Sequence, residues 1–266
     1  MSSIEFRIYL LITVICLFSC NSASTKSGSV SVNDIDMYYE VHGEGEPLLL
    51  LHGWTQSSKF WEPYIETYSQ YYRVYSLDLR GHGSTTPLSE GFNISLAAKD
   101  IHAFMKVMNI ESANAVGLSF GGLVLLELLN SHPENLESVV LVAVSHDYSG
   151  DQNNEMTISF ETLPEAFKEE LYKIHMGGES QIRALFNPKL NYRIGISNDD
   201  LMTMETRTLI VQGEKDEILG TESAIHMDRL MPNSELWLVK NSGHVPVTKA
   251  NRSLFLEKTK DFLLNR

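Results

Sequence analysis

The residues with the clearest chemical pattern are Gly117-Leu118-Ser119-Phe120-Gly121, which lie between a short apolar segment and a longer apolar run. A serine that ends a strand and precedes a helix stands clear of the chain only if the backbone reverses sharply beneath it. The positions two before and two after the serine must then lack a Cβ, and both are glycine. The pattern favours Ser119 as a nucleophile, although a glycine-rich turn whose serine takes no part in catalysis shows the same sequence pattern.

A serine hydroxyl is a weak nucleophile at neutral pH and needs an adjacent base, a role for which histidine is best suited. His244 follows the last apolar segment, residues 236–239, and we predict it as the general base. The other late histidine is His226, which lies in the middle of a stretch with helical spacing.

A third group must fix the tautomer of the base, and a carboxylate just past a strand is the natural candidate. Asp216 follows the apolar residues 208–211 and is our prediction. Glu214 and Glu217 flank it and are alternatives, or all three belong to a solvated loop. Asp147, which follows an earlier apolar segment, is a further candidate.

The segments that must position these side chains alternate in character along the chain. Continuous apolar runs predict strands buried on both faces, and these lie before Ser119 and at 48–51, 72–77, 138–144, 208–211 and 236–239. Residues 29–41 alternate and predict a hairpin. Helical spacing is found near Trp61 and at 94–110, after Ser119, at 225–231 and at 254–264. This alternation predicts a mostly parallel sheet covered by helices on both faces, with a site at the carboxyl ends of its strands.

Residues 145–206 interrupt the alternation, because they have little strand signal and show helical patches at 163–176 and 180–186. We interpret the segment as a helical insertion that caps the site. Its larger apolar side chains either line an apolar substrate pocket or bury the cap on the body, and they are Met156, Phe160, Phe167, Leu171, Met176 and Phe186.

Composition excludes several classes of protein. The chain has 266 residues, is 43% hydrophobic and carries a formal net charge of -13, which argues against a nucleic-acid or anionic-lipid surface as partner. It has no phosphate-binding loop and no histidine or cysteine cluster with metal-ligand spacing. We therefore predict no cofactor and no metal.

The N-terminus reads as a targeting segment. Arg7 precedes the apolar residues 8–18, a length typical of a signal-peptide core, so we assign 1–19 as a signal peptide. The sequence around Cys20 resembles the lipobox of bacterial lipoproteins, which implies lipidation at Cys20 and residues 20–28 as a flexible linker. The alternatives are ordinary secretion with cleavage after Ala23, or an uncleaved anchor. We expect an exported protein, membrane-anchored in the cell envelope or otherwise periplasmic or secreted.

From about residue 35 onward the chain resembles the α/β-hydrolase superfamily, in its branch of small esterases, lactonases, cofactor-free haloperoxidases and carbon–carbon bond hydrolases. The residues that carry the resemblance are 52–54 (His-Gly-Trp), 78–84 (Asp-Leu-Arg-Gly-His-Gly-Ser), 117–122 (Gly-Leu-Ser-Phe-Gly-Gly), 213–216 (Gly-Glu-Lys-Asp) and 242–244 (Ser-Gly-His). It implies the α/β-hydrolase fold over residues 29–266, with the cap at about 145–206.

The resemblance also implies residue roles. Ser119 would be the nucleophile, His244 the base and then the acid, and Asp216 its partner. The backbone N–H groups of Trp54 and Phe120 would form the oxyanion hole.

Four other polar residues of these motifs have structural roles in this interpretation. His52 and His82 would be hydrogen-bonded beside the site, while Asp78 and Arg80 would hold their own turn. His146 is a candidate for lining the pocket.

These residues together favour a serine hydrolase that cleaves a small carboxylic ester or lactone through an acyl-enzyme. The same triad also serves carbon–carbon bond hydrolases and acyl transferases or perhydrolases. A protein that binds a ligand on this fold without turnover is the alternative from another class. The expected partner is a small ester-like molecule.

Overall fold

Eight strands form one sheet in the computed structural model of the protein, which describes residues 26–148, 158–187 and 189–265. They are β1 (Lys26–Val32), β2 (Ile35–His42), β3 (Glu46–Leu51), β4 (Tyr72–Leu77), β5 (Ala113–Leu118), β6 (Leu136–Val142), β7 (Arg207–Gly213) and β8 (Ser234–Val239). Their order in the sheet is β1-β2-β4-β3-β5-β6-β7-β8. The first two strands form an antiparallel hairpin that pairs antiparallel with β4, and all other neighbours are parallel. The predicted mostly parallel sheet is confirmed.

Helices cover both faces of this sheet. They are α1 (Glu62–Tyr68), α2 (Ile94–Val107), α3 (Phe120–Ser131), α4 (Glu165–Ile174), α5 (Gly178–Leu185), α6 (Asn198–Thr203), α7 (Glu222–Leu230) and α8 (Arg252–Leu264). The core on one face includes Phe104 of α2 and Leu125 of α3. The core on the other face includes Tyr68 of α1 and Phe255 of α8.

The central strands are apolar throughout because each of their faces contacts one of these two cores. Leu49 and Leu51 of β3 belong to the first core, and Leu48 and Leu50 belong to the second. All four side chains are 0% exposed. Burying a leucine contributes about 2 kcal/mol relative to exposure, so strands of this kind anchor the loops that follow them.

Between β6 and β7 the described residues form α4, α5 and α6 and no strand, as the sequence predicts for a helical cap. The patterns at 163–176 and 180–186 correspond to α4 and α5. The short helix α6 was not predicted. An isolated bridge between Asn93 and Asn191 connects this cap to the loop before α2.

Two of the predicted pocket residues of the cap face solvent instead. Phe167 is 40% exposed and Met176 is 60% exposed. Phe167 lies on α4, which is amphipathic and turns its inner face, with the fully buried Leu171, toward the body. Met176 lies in the turn after α4, which ends at Ile174. Phe160 and Phe186 are buried. Met156 lies outside the described residues.

The predicted signal peptide, 1–19, and the lipidation site, Cys20, also lie outside the described residues. The first strand begins at Lys26, three residues before the predicted start of the folded domain at residue 29, so it overlaps the predicted linker, 20–28. Among the described helices none is both long enough and apolar enough to span a bilayer.

Candidate active site

Ser119 occupies a sharp turn between β5 and α3, where its φ is 50°. A non-glycine residue in this left-handed region is strained and is held there by its surroundings. The N–H of Ser119 donates to the carbonyl of Val142 on the neighbouring strand at 2.7 Å. A Cβ on Gly121 would lie 2.5 Å from the carbonyl oxygen of Leu51, and one on Gly117 would lie 2.6 Å from that of Gly121. Both glycines are therefore required for the turn, as the sequence predicts.

The structure brings Ser119, His244 and Asp216 together. The Oγ of Ser119 lies 2.9 Å from Nε2 of His244. The Nδ1 of the same imidazole lies 2.9 Å from Oδ2 of Asp216. A carboxylate only accepts, so the proton of a neutral His244 sits on Nδ1, which leaves Nε2 free to take the serine proton. The side chain of His244 is 19% exposed and that of Asp216 is 0% exposed.

Asp216 is held as a carboxylate by the donors around it. Burial alone would raise its pKa, but the hydrogen bond and charge of His244 and the backbone N–H groups of Leu219 and Ile218 outweigh burial. Those two N–H groups donate to Oδ1 at 3.0 Å and 2.8 Å. The net effect is a pKa below the ordinary value, so Asp216 is ionised at neutral pH and stabilises an imidazolium.

Gln212 is a site residue that the sequence interpretation missed. Its side chain is 0% exposed, and its Nε2 donates to Oδ2 of Asp216 at 2.6 Å and to the carbonyl of Gly220 at 2.8 Å. It therefore shares the carboxylate oxygen that His244 uses. The available signal was a polar residue directly after the apolar residues 209–211 and four positions before Asp216.

Replacing Gln212 with methionine is expected to lower kcat/KM on an ester substrate by about 10-fold. The reason is that a charge-assisted hydrogen bond that fixes the carboxylate oxygen used by His244 is lost. The measurement is kcat/KM on a p-nitrophenyl ester. Gln181→Met is the matched control, because that buried glutamine donates only to backbone carbonyls of residues 81, 83 and 85. A kcat/KM that stays at the wild-type value in Gln212→Met, or that falls equally in Gln181→Met, contradicts this role.

The alternative acids do not contact His244. Asp147 is exposed and accepts from the hydroxyl of Ser145 at 2.6 Å. Glu214 accepts from the backbone N–H of Asn241 at 2.9 Å. Glu217 is exposed. Of the four acidic candidates only Asp216 is placed to orient the base.

The two predicted oxyanion donors lie at the same edge of the sheet. Trp54 follows the end of β3 and Phe120 follows Ser119 at the end of β5, and these strands are parallel neighbours. Over the described residues neither of the two backbone N–H groups has a hydrogen-bond acceptor. Both are available for a ligand oxygen, and that of Phe120 lies at the positive end of α3.

Aromatic side chains from the cap cover this edge. The ring centroids of Trp54 and Phe186 are 4.9 Å apart, and those of Trp54 and Tyr192 are 6.1 Å apart. Tyr192 also contacts Phe120 at 5.8 Å. The sequence interpretation included Phe186 among the pocket residues but missed Tyr192, which lies in a cap segment without regular periodicity. An apolar group bound near Ser119 would meet these rings.

The structural roles predicted for His52 and His82 are confirmed by their hydrogen bonds. Nδ1 of His52 lies 2.8 Å from the carbonyl of Gly53, and its Nε2 accepts from the N–H of Leu79 at 3.0 Å. Nδ1 of His82 lies 3.0 Å from the carbonyl of Arg80. Burial lowers the pKa of both imidazoles, so both remain neutral and hold the loops after β3 and β4.

Asp78 holds its turn as predicted, since its carboxylate accepts from the N–H groups of Ser58 and Ser84, each at 2.7 Å. His146 lies farther along the edge, where Nδ1 is 3.0 Å from the carbonyl of Ile196 and the ring stacks on His226 at 5.1 Å. These contacts hold the cap. No group of three or more metal-ligating side chains occurs in the described part of the chain.

The sequence similarities of this chain to known proteins agree with the strand and helix arrangement described above. A sequence model of the family described as "alpha/beta hydrolase fold" matches residues 46–177. A pimeloyl-[acyl-carrier protein] methyl ester esterase from Nitrosospira multiformis is 25% identical over 248 residues, which cover 81% of this chain and 94% of that protein.

Solved structures with the same fold include hydrolases of different kinds. The esterase RhEst1 from Rhodococcus is 25% identical with a TM-score of 0.68, over 91% of this chain and 99% of that one. A meta-cleavage product hydrolase from Pseudomonas fluorescens is 20% identical with a TM-score of 0.69, over 89% and 97% of the two chains. The protein has the α/β-hydrolase fold, and the family match and these relatives together support its place in the α/β-hydrolase superfamily.

Proposed function

We propose that the protein is a serine hydrolase that cleaves a small carboxylic ester or lactone through an acyl-enzyme intermediate. The observation that carries this proposal is the continuous hydrogen-bonded chain from Ser119 through His244 to Asp216, with both contacts at 2.9 Å. Such a chain moves a proton from an alcohol to a base whose tautomer is already fixed.

In the acylation step, Oγ of Ser119 attacks the carbonyl carbon while Nε2 of His244 takes its proton. The negative charge that develops on the carbonyl oxygen is stabilised by the N–H groups of Trp54 and Phe120. Donors of this kind are each worth about 3 kcal/mol in the transition state. The imidazolium then protonates the leaving alkoxide, which departs as an alcohol and leaves the acyl group on Ser119.

In the deacylation step, His244 takes a proton from water, which attacks the acyl carbonyl. Collapse of the second tetrahedral intermediate returns the proton to Oγ of Ser119 and releases the carboxylic acid. Throughout, the buried carboxylate of Asp216 stabilises the imidazolium without itself taking the proton.

The aromatic side chains of the cap favour a substrate with a small apolar group. The rings of Phe186 and Tyr192 lie against Trp54, so the acyl or ring portion of a bound ester near the oxyanion donors contacts aromatic carbon. Relatives named as esterases are consistent with ester cleavage.

A substrate panel tests the proposal. The wild-type protein should hydrolyse short p-nitrophenyl esters or lactones, and Ser119→Ala should lower kcat by about a million-fold. Lactone hydrolysis is followed by acid release, and a β-diketone substrate tests carbon–carbon cleavage in the same panel. Turnover that survives in Ser119→Ala, or turnover of the diketone without any ester, contradicts the proposal.

We also propose that the protein is exported and anchored by lipid at Cys20. The support comes from the sequence alone: an apolar core of signal-peptide length at 8–18, Cys20 two residues after its end, and a polar serine-rich segment.

A further inference from the structure

His175 joins the cap to the body of the protein at two points. It directly follows α4 and is 1% exposed. Its Nδ1 accepts from the backbone N–H of Gly83 at 3.0 Å. Its Nε2 lies 3.2 Å from the carbonyl oxygen of Thr55, which can only accept. The ring is therefore the neutral tautomer with its proton on Nε2, and burial lowers its pKa to about 4.

Thr55 lies in the loop that carries one of the two oxyanion donors. It directly follows Trp54, and its φ of 64° is in the left-handed region, which a β-branched residue adopts only when its surroundings hold it there. The start of the same loop is fixed by Gln56, whose Oε1 accepts from the N–H of Gly53 at 3.0 Å. The hydrogen bond from His175 to the Thr55 carbonyl fixes the other end of this loop.

We propose that His175 is a positioning residue through which the cap holds the loop 53–56, and with it the N–H of Trp54, in the geometry of an oxyanion hole. The proposal rests on the proposed function. It means that the oxyanion hole is complete only while the cap is docked, because one of its supports belongs to the cap.

Gln181 makes a second contact between the cap and the body, and it distinguishes the role of His175 from cap docking in general. The side chain of Gln181 is 1% exposed, and its Nε2 lies 3.1 Å, 3.2 Å and 3.1 Å from the carbonyl oxygens of Gly81, Gly83 and Thr85. It therefore binds the cap to the loop after β4 without contacting the loop 53–56. Losing Gln181 removes contacts to the loop after β4 and leaves the hydrogen bond from His175 to Thr55 in place, whereas losing the Nε2 donor of His175 releases Thr55.

Two nearly isosteric variants test the proposal. In His175→Asn the side-chain oxygen still reaches the N–H of Gly83, but the donor to Thr55 is lost. In His175→Gln a donor reaches the position of Nε2. We expect kcat on a p-nitrophenyl ester to fall about 10- to 100-fold in His175→Asn, with KM changed less than about threefold, and to recover to within about fivefold of wild type in His175→Gln.

Gln181→Met is the matched control, and thermal unfolding of all three variants confirms that they are folded. The control should leave kcat within about threefold of wild type. The proposal is overturned if His175→Asn keeps wild-type kcat, if His175→Gln is no better than His175→Asn, or if Gln181→Met reproduces the same loss of kcat.

Hydrogen exchange gives a readout that does not depend on turnover. Peptides that cover residues 52–57 should exchange faster in His175→Asn than in wild type, and at the wild-type rate in His175→Gln and Gln181→Met. Equal exchange in wild type and His175→Asn overturns the proposal whichever substrate the enzyme uses. An inactive wild-type protein in which the exchange pattern holds refutes the proposed function and leaves the positioning of this loop standing.

Discussion

Replacing His244 with alanine is expected to lower kcat/KM for an activated ester by about a million-fold, because the nucleophile loses its only base. Nε2 of His244 lies 2.9 Å from the hydroxyl of Ser119, and neither Asp216 nor Gln212 is hydrogen-bonded to that hydroxyl in the structure. Asp216→Asn should cost about ten-thousand-fold, since an amide at this position favours the wrong tautomer of the imidazole. The measurement is kcat/KM on a p-nitrophenyl ester at a pH on the plateau of the pH–rate profile.

The triad should also act as a unit. The double variant Ser119→Ala/His244→Ala is expected to be no slower than either single variant, because each change alone removes the same proton transfer. His226→Ala is the matched control, since this histidine bonds Asn198 at 2.8 Å and stacks on His146 without touching the triad. Losses that multiply in the double variant, or a loss in His226→Ala as large as that in His244→Ala, contradict the assignment.

Asp100→Asn is expected to lower the free energy of unfolding by about 3–5 kcal/mol, because it leaves a buried guanidinium incompletely paired. Arg80 is 1% exposed, and its Nε and an Nη bind the two carboxylate oxygens of Asp100 at 2.6 Å and 2.8 Å. Burial would lower the pKa of Arg80, but its hydrogen bonds with Asp100 and Asp34 raise it instead. The ion pair connects the turn after β4 to α2. Urea unfolding with linear extrapolation measures the loss.

The second ion pair of Arg80, with Asp34, provides a control for the Asp100 prediction. Arg80 also binds Asp34 at 2.6 Å, but the side chain of Asp34 is 66% exposed. Asp34→Asn should therefore cost no more than about 1 kcal/mol. The double variant Arg80→Met/Asp100→Leu should be less destabilised than Asp100→Asn, since no charge is left buried. If Asp34→Asn and Asp100→Asn lower the free energy of unfolding equally, burial does not set the strength of the ion pair between Arg80 and Asp100.

The sequence predicts the sheet well because its central strands are buried on both faces. Residues 72–77 correspond to β4 without a shift at either end, and the run before Ser119 is β5. The short helix α6 was missed because six residues with two aspartates give too little periodicity. The exposure of Phe167 was missed because apolar composition does not say which face of a short helix contacts the body, and that of Met176 because this residue lies in the turn between α4 and α5.

In the active site, too, some residues follow from local sequence patterns and others do not. The nucleophile turn, the base and its carboxylate follow from local patterns at strand ends, where glycine spacing and the position of a polar residue carry the signal. Gln212 lies only four residues before Asp216, so a local signal for it existed and was overlooked. His175 could not be found in that way, because its contact partner Thr55 is 120 residues away in the sequence. Such contacts become visible only when the cap is placed on the body.

If the hydroxyl of Ser119 attacks the substrate, it should also be trapped as a covalent adduct by an inhibitor that reacts with activated serines. The wild-type protein is incubated with a fluorophosphonate, and intact mass and peptide mapping locate the adduct. One phosphonyl group is expected, on the peptide that contains Ser119, and Ser119→Ala should not be labelled. An adduct on another residue, or an ester-hydrolysing enzyme that the reagent leaves unlabelled, would contradict the role of Ser119 as nucleophile.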